Sequence, residues 1–398
     1  MKILVACELP DPALEQLRTL ASELVYAPST AGPELRESLT NVGVLVVGPT
    51  RVSPDLVARA AALQMIVRAG IGPGEVAVEE ASAAGIFVTH CPDKHAEAIA
   101  ELAFGLILAL DRRIVENVLA LREGRWARGE WAEARGLAGR TLGVLGWGPV
   151  GRLVARRARA FDLRVVAWSP RPATDVAAES DVEFCNWPRE LARQSDIVTV
   201  HAVEDESEVL VDAEFLQSLP EGAYLVHLGN PGAIDEAALA RAIEERHLRV
   251  ALDVFSSEPA GDSGRFRCRL CELPGVIGTQ HIGPLTQQAR EATAAEVVRI
   301  VRAFVVSGEV LNCLNLCERS PATWQLVLRL RDQVGVMAAI LEAVRADGVN
   351  AQEIVSRVFI GARAVWCAIA LDERPSTEAL QTIRALPDVL HLELRAVV

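Results

Sequence analysis

The clearest chemical content lies in the segment Thr141-Leu-Gly-Val-Leu-Gly-Trp-Gly-Pro-Val-Gly-Arg152. An apolar run, Leu142 to Leu145, leads into Gly146-x-Gly148-x-x-Gly151, and a helical pattern follows. Glycines at this spacing suit a dinucleotide. Gly146 permits a sharp turn, Gly148 lets a pyrophosphate approach the backbone, and Gly151 lets the helix pack close to the strand. The helix N-terminus, through Pro149 and Val150, presents its positive dipole end to the phosphates. Pro149 has no N–H to offer but suits a helix first turn. A second spacing could hold a metal. Cys268-x-x-Cys271 and Cys313-x-x-x-Cys317 could be two halves of a zinc site, or reduced cysteines in loops. No matching histidine spacing accompanies them, and no metal is expected.

Two βα series must position these groups. In the first, Ile3–Ala6, Val44–Val47, Met65–Arg68 and Ile86–Thr89 are strand-like, and helical patterns lie between them. A long helical pattern runs from Ala96 to about Leu121. It is almost wholly apolar from Ala98 to Leu110, which predicts burial, with a second subunit as one possible cover. The second series begins at Thr141, with strands at Leu142–Leu145, Arg164–Trp168, Ile197–Val200, Tyr224–Leu228, Arg249–Asp253 and Val276–Gly278. Ser307 to Pro321 reads as a linker, after which the pattern changes to βαββαβ. The expected fold is α/β: two Rossmann-like, doubly wound parallel-sheet domains and a C-terminal α+β domain.

The chain has 398 residues and 51% hydrophobic residues, enough for two or three domains. A net charge of −13 excludes nucleic acid and anionic membranes as expected partners. No apolar run has the length of a membrane span. The N-terminal apolar stretch reads as a strand and is too short for a signal peptide, so a cytoplasmic protein is expected.

Beyond the glycine fingerprint, several segments occur in one order: Arg68-Ala-Gly-Ile-Gly72, Ile99-Ala-Glu101, Arg122-Glu-Gly-Arg-Trp126, Gly139-Arg-Thr-Leu-Gly143, Ile234-Asp-Glu236, Asp253-Val-Phe-Ser-Ser-Glu-Pro259 and His281-Ile-Gly283. By these the chain resembles the D-2-hydroxyacid dehydrogenases, most closely the D-3-phosphoglycerate dehydrogenases with a C-terminal ACT domain. The resemblance implies a substrate domain from residues 1–98 and 288–315, an NAD(P)-binding domain from 99–287, a linker at 316–321 and an ACT-like domain from 322–398. It implies hydride transfer between NAD or NADP and C2 of a 2-hydroxy or 2-keto acid, and by analogy a place in serine biosynthesis. His281 would exchange the hydroxyl proton. Glu258 would hold its tautomer and favour its protonated form. Backbone N–H groups of Ala69, Gly70, Ile71 and Gly72 would hold the substrate carboxylate. Asp253 would lie near the nicotinamide carboxamide. A homodimer through Ala96–Leu121 is implied as well.

The sequence departs from the family at several points. The catalytic arginine expected five residues before Asp235 is Asn230, which cannot give a bidentate, charge-assisted grip on a carboxylate. Arg68 and Lys94 are possible substitutes. Val47 stands where phosphoglycerate dehydrogenases carry a basic residue, with Arg51 nearby, and Gly74 and His95 replace an Asp and an Asn of the substrate cleft. The acidic residue expected after the second strand of the cofactor domain is Ser169, with Arg171 two residues on, which suits NADP as well as NAD.

In the last domain the resemblance to ACT domains implies a regulatory amino-acid ligand near Asp332, Gly335 and Asn350: Gly335 and Asn350 match the family's positions, Asp332 stands where an Asn is usual, and a purely dimerising domain fits too. The rival to the enzyme is a catalytically impaired paralogue that binds a nucleotide or an amino acid as a regulatory protein.

Overall fold

The strands form where β-branched residues and leucine run together. Val42–Val47 is buried at every position, as expected of a parallel strand covered on both faces. In the computed structural model, which describes residues 1–170, 182–202, 209–259, 264–317 and 319–397, the first sheet contains β1 (Lys2–Ala6), β2 (Glu23–Tyr26), β3 (Val42–Val47), β4 (Met65–Arg68) and β5 (Phe87–His90). All pairs are parallel, in the order β2-β1-β3-β4-β5. Leu14 and Leu17 cover one face together with Val297, Val298 and Val301 of the helix Gln287–Ser307. Leu35, Leu56 and Ala81 cover the other. The linker expected from Ser307 is partly structured. The N–H of His90 donates to the Asn312 carbonyl at 3.2 Å and that of Leu314 to the Val88 carbonyl at 2.8 Å, so residues 312–314 run along β5.

The second sheet contains β6 (Thr141–Leu145), β7 (Arg164–Trp168), β8 (Glu183–Phe184), β9 (Ile197–Val200), β10 (Tyr224–His227), β11 (Arg249–Leu252) and β12 (Val276–Gly278). These are parallel in the order β12-β11-β10-β9-β6-β7-β8. The strand order reverses between β6 and β9. A crevice opens at such a switch point beyond the carboxyl ends of the strands, where open α/β sheets bind ligands.

The long helix expected from Ala96 to Leu121 is two helices, Ala96–Arg112 and Ile114–Arg122. Arg113 breaks it with a φ of +50°, a conformation unfavourable for a side-chain-bearing residue. Its guanidinium lies 4.7 Å from the Trp131 ring centroid and bonds Glu116, contacts that hold the break. The apolar face of the first helix needs no second subunit: Phe104, Ile107 and Leu110 pack with Leu142, Val144 and Val226 of the cofactor sheet.

A separate unit spans Asn315–Val398. It contains an antiparallel sheet of β13 (Trp324–Arg331), β14 (Ala351–Val358), β15 (Ala364–Leu371) and β16 (Val389–Ala396), in the order β14-β15-β13-β16. Ile340, Val344 and Ile383 from its two helices complete a core with Leu326, Leu328 and Ile369. The fold is therefore two parallel-sheet Rossmann-like domains followed by an α+β domain.

Candidate active site

The loop after β6 is shaped by contacts only glycine allows. Gly146 has a φ of +111°, and a Cβ there would lie 2.6 Å from the Ala202 nitrogen. A Cβ on Gly151 would lie 2.2 Å from the Gly146 carbonyl oxygen. Gly148 differs, since a Cβ there would meet nothing within 4 Å. Two glycines thus serve packing and the third leaves open space. The Gly146 N–H donates to the Trp168 carbonyl at 3.0 Å and ties the loop to β7. The helix Pro149–Ala160 starts with Gly148 as N-cap and Pro149 in its first turn, which carries no carboxylate. The first-turn N–H groups beyond the proline, at Val150 and Gly151, have no partner within the helix. This cradle fits a pyrophosphate. Ser169 follows β7 directly; Arg171 lies outside the described residues.

Across the crevice, β11 ends at Leu252 and Asp253 follows, 1% exposed. Its carboxylate accepts from Thr279 Oγ1 at 2.6 Å, the Ile282 N–H at 2.9 Å and the Gly283 N–H at 2.8 Å. The His281 N–H donates to the Asp253 carbonyl at 2.8 Å. His281 itself has a φ of +51°, a strained conformation that the surrounding bonds must hold. His281 Nδ1 lies 2.9 Å from Glu258 Oε2, and Glu258 Oε1 accepts the Phe255 N–H at 2.8 Å. One glutamate oxygen is thus fixed by backbone and the other meets the imidazole. His281 Nε2 is left for the crevice, and the ring is half-exposed. Asp253, expected beside the nicotinamide, is engaged by both oxygens in holding the histidine loop.

The anion side is built differently. Asn230 Oδ1 accepts the Gly232 N–H at 2.9 Å and caps the turn Pro231–Ala233, so its carbonyl serves the backbone. Three of the four N–H groups expected to grip a carboxylate are already bonded: Ala69 to the Val47 carbonyl at 2.7 Å, Gly70 to the Arg68 carbonyl at 2.8 Å, and Gly72 to His90 Nδ1 at 3.2 Å. The Ile71 N–H has no partner among the described residues. Lys94 pairs with Glu296 at 3.2 Å. Glu296 is 6% exposed and also accepts from Arg299 and Asn312, first among the causes that hold its carboxyl down at about 2 being the Arg299 bond. That lysine is committed to structure. Arg68 is not: its Nε is buried with no hydrogen-bond partner.

Two histidines that the sequence marks only as structural or exposed lie buried at the carboxyl ends of β9 and β10. His201 and His227 are 4% and 2% exposed, and burial pushes them down to about 3 and about 4. They hold no charge near neutral pH. Their position immediately after or at the end of central strands was the available signal. In the last unit, Asp332 and Gly335 precede the helix Val336–Ala346 and Asn350 follows it. Asn350 lines a cavity of about 390 Å³ with Leu341, Val344 and Arg345, and neither Asp332 nor Gly335 lines it. Among the described residues no group of three or more His, Cys, Asp or Glu could hold a metal.

Residues 104–283 match the model of the D-isomer specific 2-hydroxyacid dehydrogenase NAD-binding domain. Along 361 residues the chain is 32% identical to D-3-phosphoglycerate dehydrogenase of Methanocaldococcus jannaschii, covering 89% of this chain and 67% of that protein. Hydroxypyruvate reductase of Thermotoga maritima is 35% identical over 67% of this chain and 85% of its own length. The chain belongs to the D-2-hydroxyacid dehydrogenase family. A solved structure of the NADPH-dependent glyoxylate/hydroxypyruvate reductase of Sinorhizobium meliloti superimposes with a TM-score of 0.67 at 26% identity, over 79% of this chain and 97% of that one. This dehydrogenase spans about two thirds of the length of the phosphoglycerate dehydrogenases it matches. Its relatives are dehydrogenases and reductases, so the regulatory-paralogue alternative gains no support over an NAD(P)-dependent enzyme.

Proposed function

We propose that this dehydrogenase interconverts a D-2-hydroxy acid and its 2-oxo acid with His281 as the acid–base group. The 2.9 Å pair between His281 and Glu258 carries this reading. In reduction, His281 Nε2–H donates to the substrate carbonyl oxygen and transfers its proton as the alcohol forms. In oxidation the neutral ring accepts that proton. Glu258 fixes the proton on Nδ1 and stabilises the imidazolium. Bound NAD(P) supplies or takes the hydride at C2. The Gly146–Gly151 loop would hold the pyrophosphate and Ser169 would face the adenosine ribose, where the missing carboxylate leaves NADP as acceptable as NAD.

The test is titration with NADH and NADPH, then a turnover screen across 2-oxo acids with wild type and His281→Ala. Cofactor binding with turnover that His281→Ala abolishes supports the reading. Binding without turnover of any 2-oxo acid contradicts it.

The reading extends to a cytoplasmic homodimer. All eight cysteines are unpaired, which suits a reducing compartment, and Ile114, Val115, Leu119 and Leu121 form an exposed apolar helix face that a second copy would cover. No described helix is long and apolar enough to cross a membrane. The last unit would act as an ACT-like module, with the cavity at Asn350 open to an amino-acid effector.

A further inference from the structure

Arg68 ends β4 at the carboxyl edge of the first sheet, where ligands of parallel sheets bind. Its guanidinium lies across the loop that follows. A Cβ on Gly70 would fall 1.6 Å from Arg68 Nη1, and one on Gly74 would fall 2.8 Å from Arg68 Nε. Both glycines therefore make room for this side chain. Burial pulls the Arg68 guanidinium below its ordinary value. The groups that sense its charge are two thiols and two imidazoles. The thiols of Cys7 and Cys91 are each pushed up to about 12, chiefly by burial, and so stay neutral. His90 and His95 are lowered by burial first and by Arg68 as well. Among the described residues Arg68 has no ion pair and Nε has no hydrogen-bond partner. A cation taken out of water without a partner is costly, and an anionic ligand would offset that cost. The helix that follows His95 meets the His281 side of the crevice. His95 begins the helix Ala96–Arg112, and Ile99 in its first turn lies 3.4 Å from where a Cβ on Gly283 would be.

We infer that Arg68 is the cation that pairs with the substrate carboxylate, and that the substrate is a short 2-oxo or 2-hydroxy acid without a phosphate. This rests on the dehydrogenase reading above. Asn230 is neutral and caps a turn, and the loop keeps one unbonded N–H, so the carboxylate's charge falls to Arg68. A phosphate would need a second cation. Lys94 is held by Glu296, Arg51 pairs with Glu75 at 3.8 Å on the surface, and Val47 is apolar.

The test uses the full chain with NADH or NADPH bound, and compares wild type with Arg68→Met and Arg68→Lys. Oxalate, a non-reacting mimic of a 2-oxo acid, is titrated by calorimetry. Steady-state kinetics follow with glyoxylate, hydroxypyruvate and the phosphate ester of hydroxypyruvate. Oxalate affinity should fall at least 30-fold in Arg68→Met and be partly restored in Arg68→Lys, with cofactor affinity unchanged in both. In wild type, kcat/KM for hydroxypyruvate should exceed that for its phosphate ester at least tenfold. Unchanged oxalate affinity in folded Arg68→Met, or preference for the phosphate ester, overturns the inference while leaving the dehydrogenase reading intact. Oxalate that binds wild type through Arg68, with no 2-oxo acid turned over, overturns the dehydrogenase reading instead. No oxalate binding to the wild-type cofactor complex overturns the inference as well.

Discussion

The two sides of the crevice are built on opposite plans. Around His281 every polar atom of the supporting carboxylates has a partner: Asp253 accepts three donors and Glu258 joins Phe255 to the imidazole. Around the 69–74 loop, the Nε of a half-buried guanidinium has no hydrogen-bond partner among the described residues, and the position expected to carry a second guanidinium holds Asn230. The difference follows from the physics of the two tasks. Proton transfer needs one donor–acceptor line at hydrogen-bond distance, so its geometry cannot be moved without being lost. Carboxylate binding needs charge and donors within reach, which another element of the cleft can deliver. On the proposed reading, the proton side keeps its construction and the anion side has shifted from β10 to β4.

Substitutions on each side sharpen that contrast. His281→Ala removes the only group on the proton line, and kcat should fall roughly 10²–10⁴-fold with NAD(P)H affinity unchanged by fluorescence titration. A smaller loss would place the proton transfer elsewhere. Asp253→Ala leaves the buried Gly283 N–H and the part-buried Ile282 N–H without acceptors. Each should cost about 1–3 kcal/mol, read as a lowered urea midpoint, and turnover should fall with the loosened loop. Arg68→Met acts in the opposite sense on stability. Removing a half-buried, unpaired cation should stabilise the ligand-free protein by about 1 kcal/mol, seen as a raised melting temperature, and a lowered one would mean that Arg68 holds the loop together.

A last, smaller effect separates both sides from the sheet beneath them. In the unfolded chain His201 and His227 titrate near 6.5, whereas in the fold burial holds them neutral down to about 3 and about 4. Between these values the unfolded state binds protons that the folded state does not. Stability from this pair therefore falls as pH drops from about 6.5 toward 4, and is independent of pH above that window. Urea midpoints at pH 7.5, 5.5 and 4.5 should decline, and His227→Asn should flatten the decline.

Much of this was legible in the sequence because the central strands are long β-branched runs between glycine and proline punctuation. The strands that escaped notice are edges: Glu23–Tyr26 is partly exposed and begins with a charge, and Glu183–Phe184 has two residues. The helix break at Arg113 has no local breaker to announce it, and depends on a tryptophan 18 positions on. His281 and Glu258 were legible from their segments. The work of Asp253 was not, since its donors come from 26 to 30 residues later in the chain. Arg68 was visible as a residue. Its isolation became visible only when the fold showed Lys94 committed to Glu296 and no carboxylate beside the guanidinium.

The transfer of the anion-binding charge from β10 to β4 is tested most directly by a double substitution. In the Arg68→Met background, Asn230→Arg returns a cation to the position expected to carry one. If the two sites supply the same charge, KM for the preferred 2-oxo acid should rise at least 30-fold in Arg68→Met and recover at least tenfold in the double variant, while Asn230→Arg alone changes it only a few-fold. A folded double variant with KM no better than Arg68→Met, or an Arg68→Met enzyme with wild-type KM, would contradict the account.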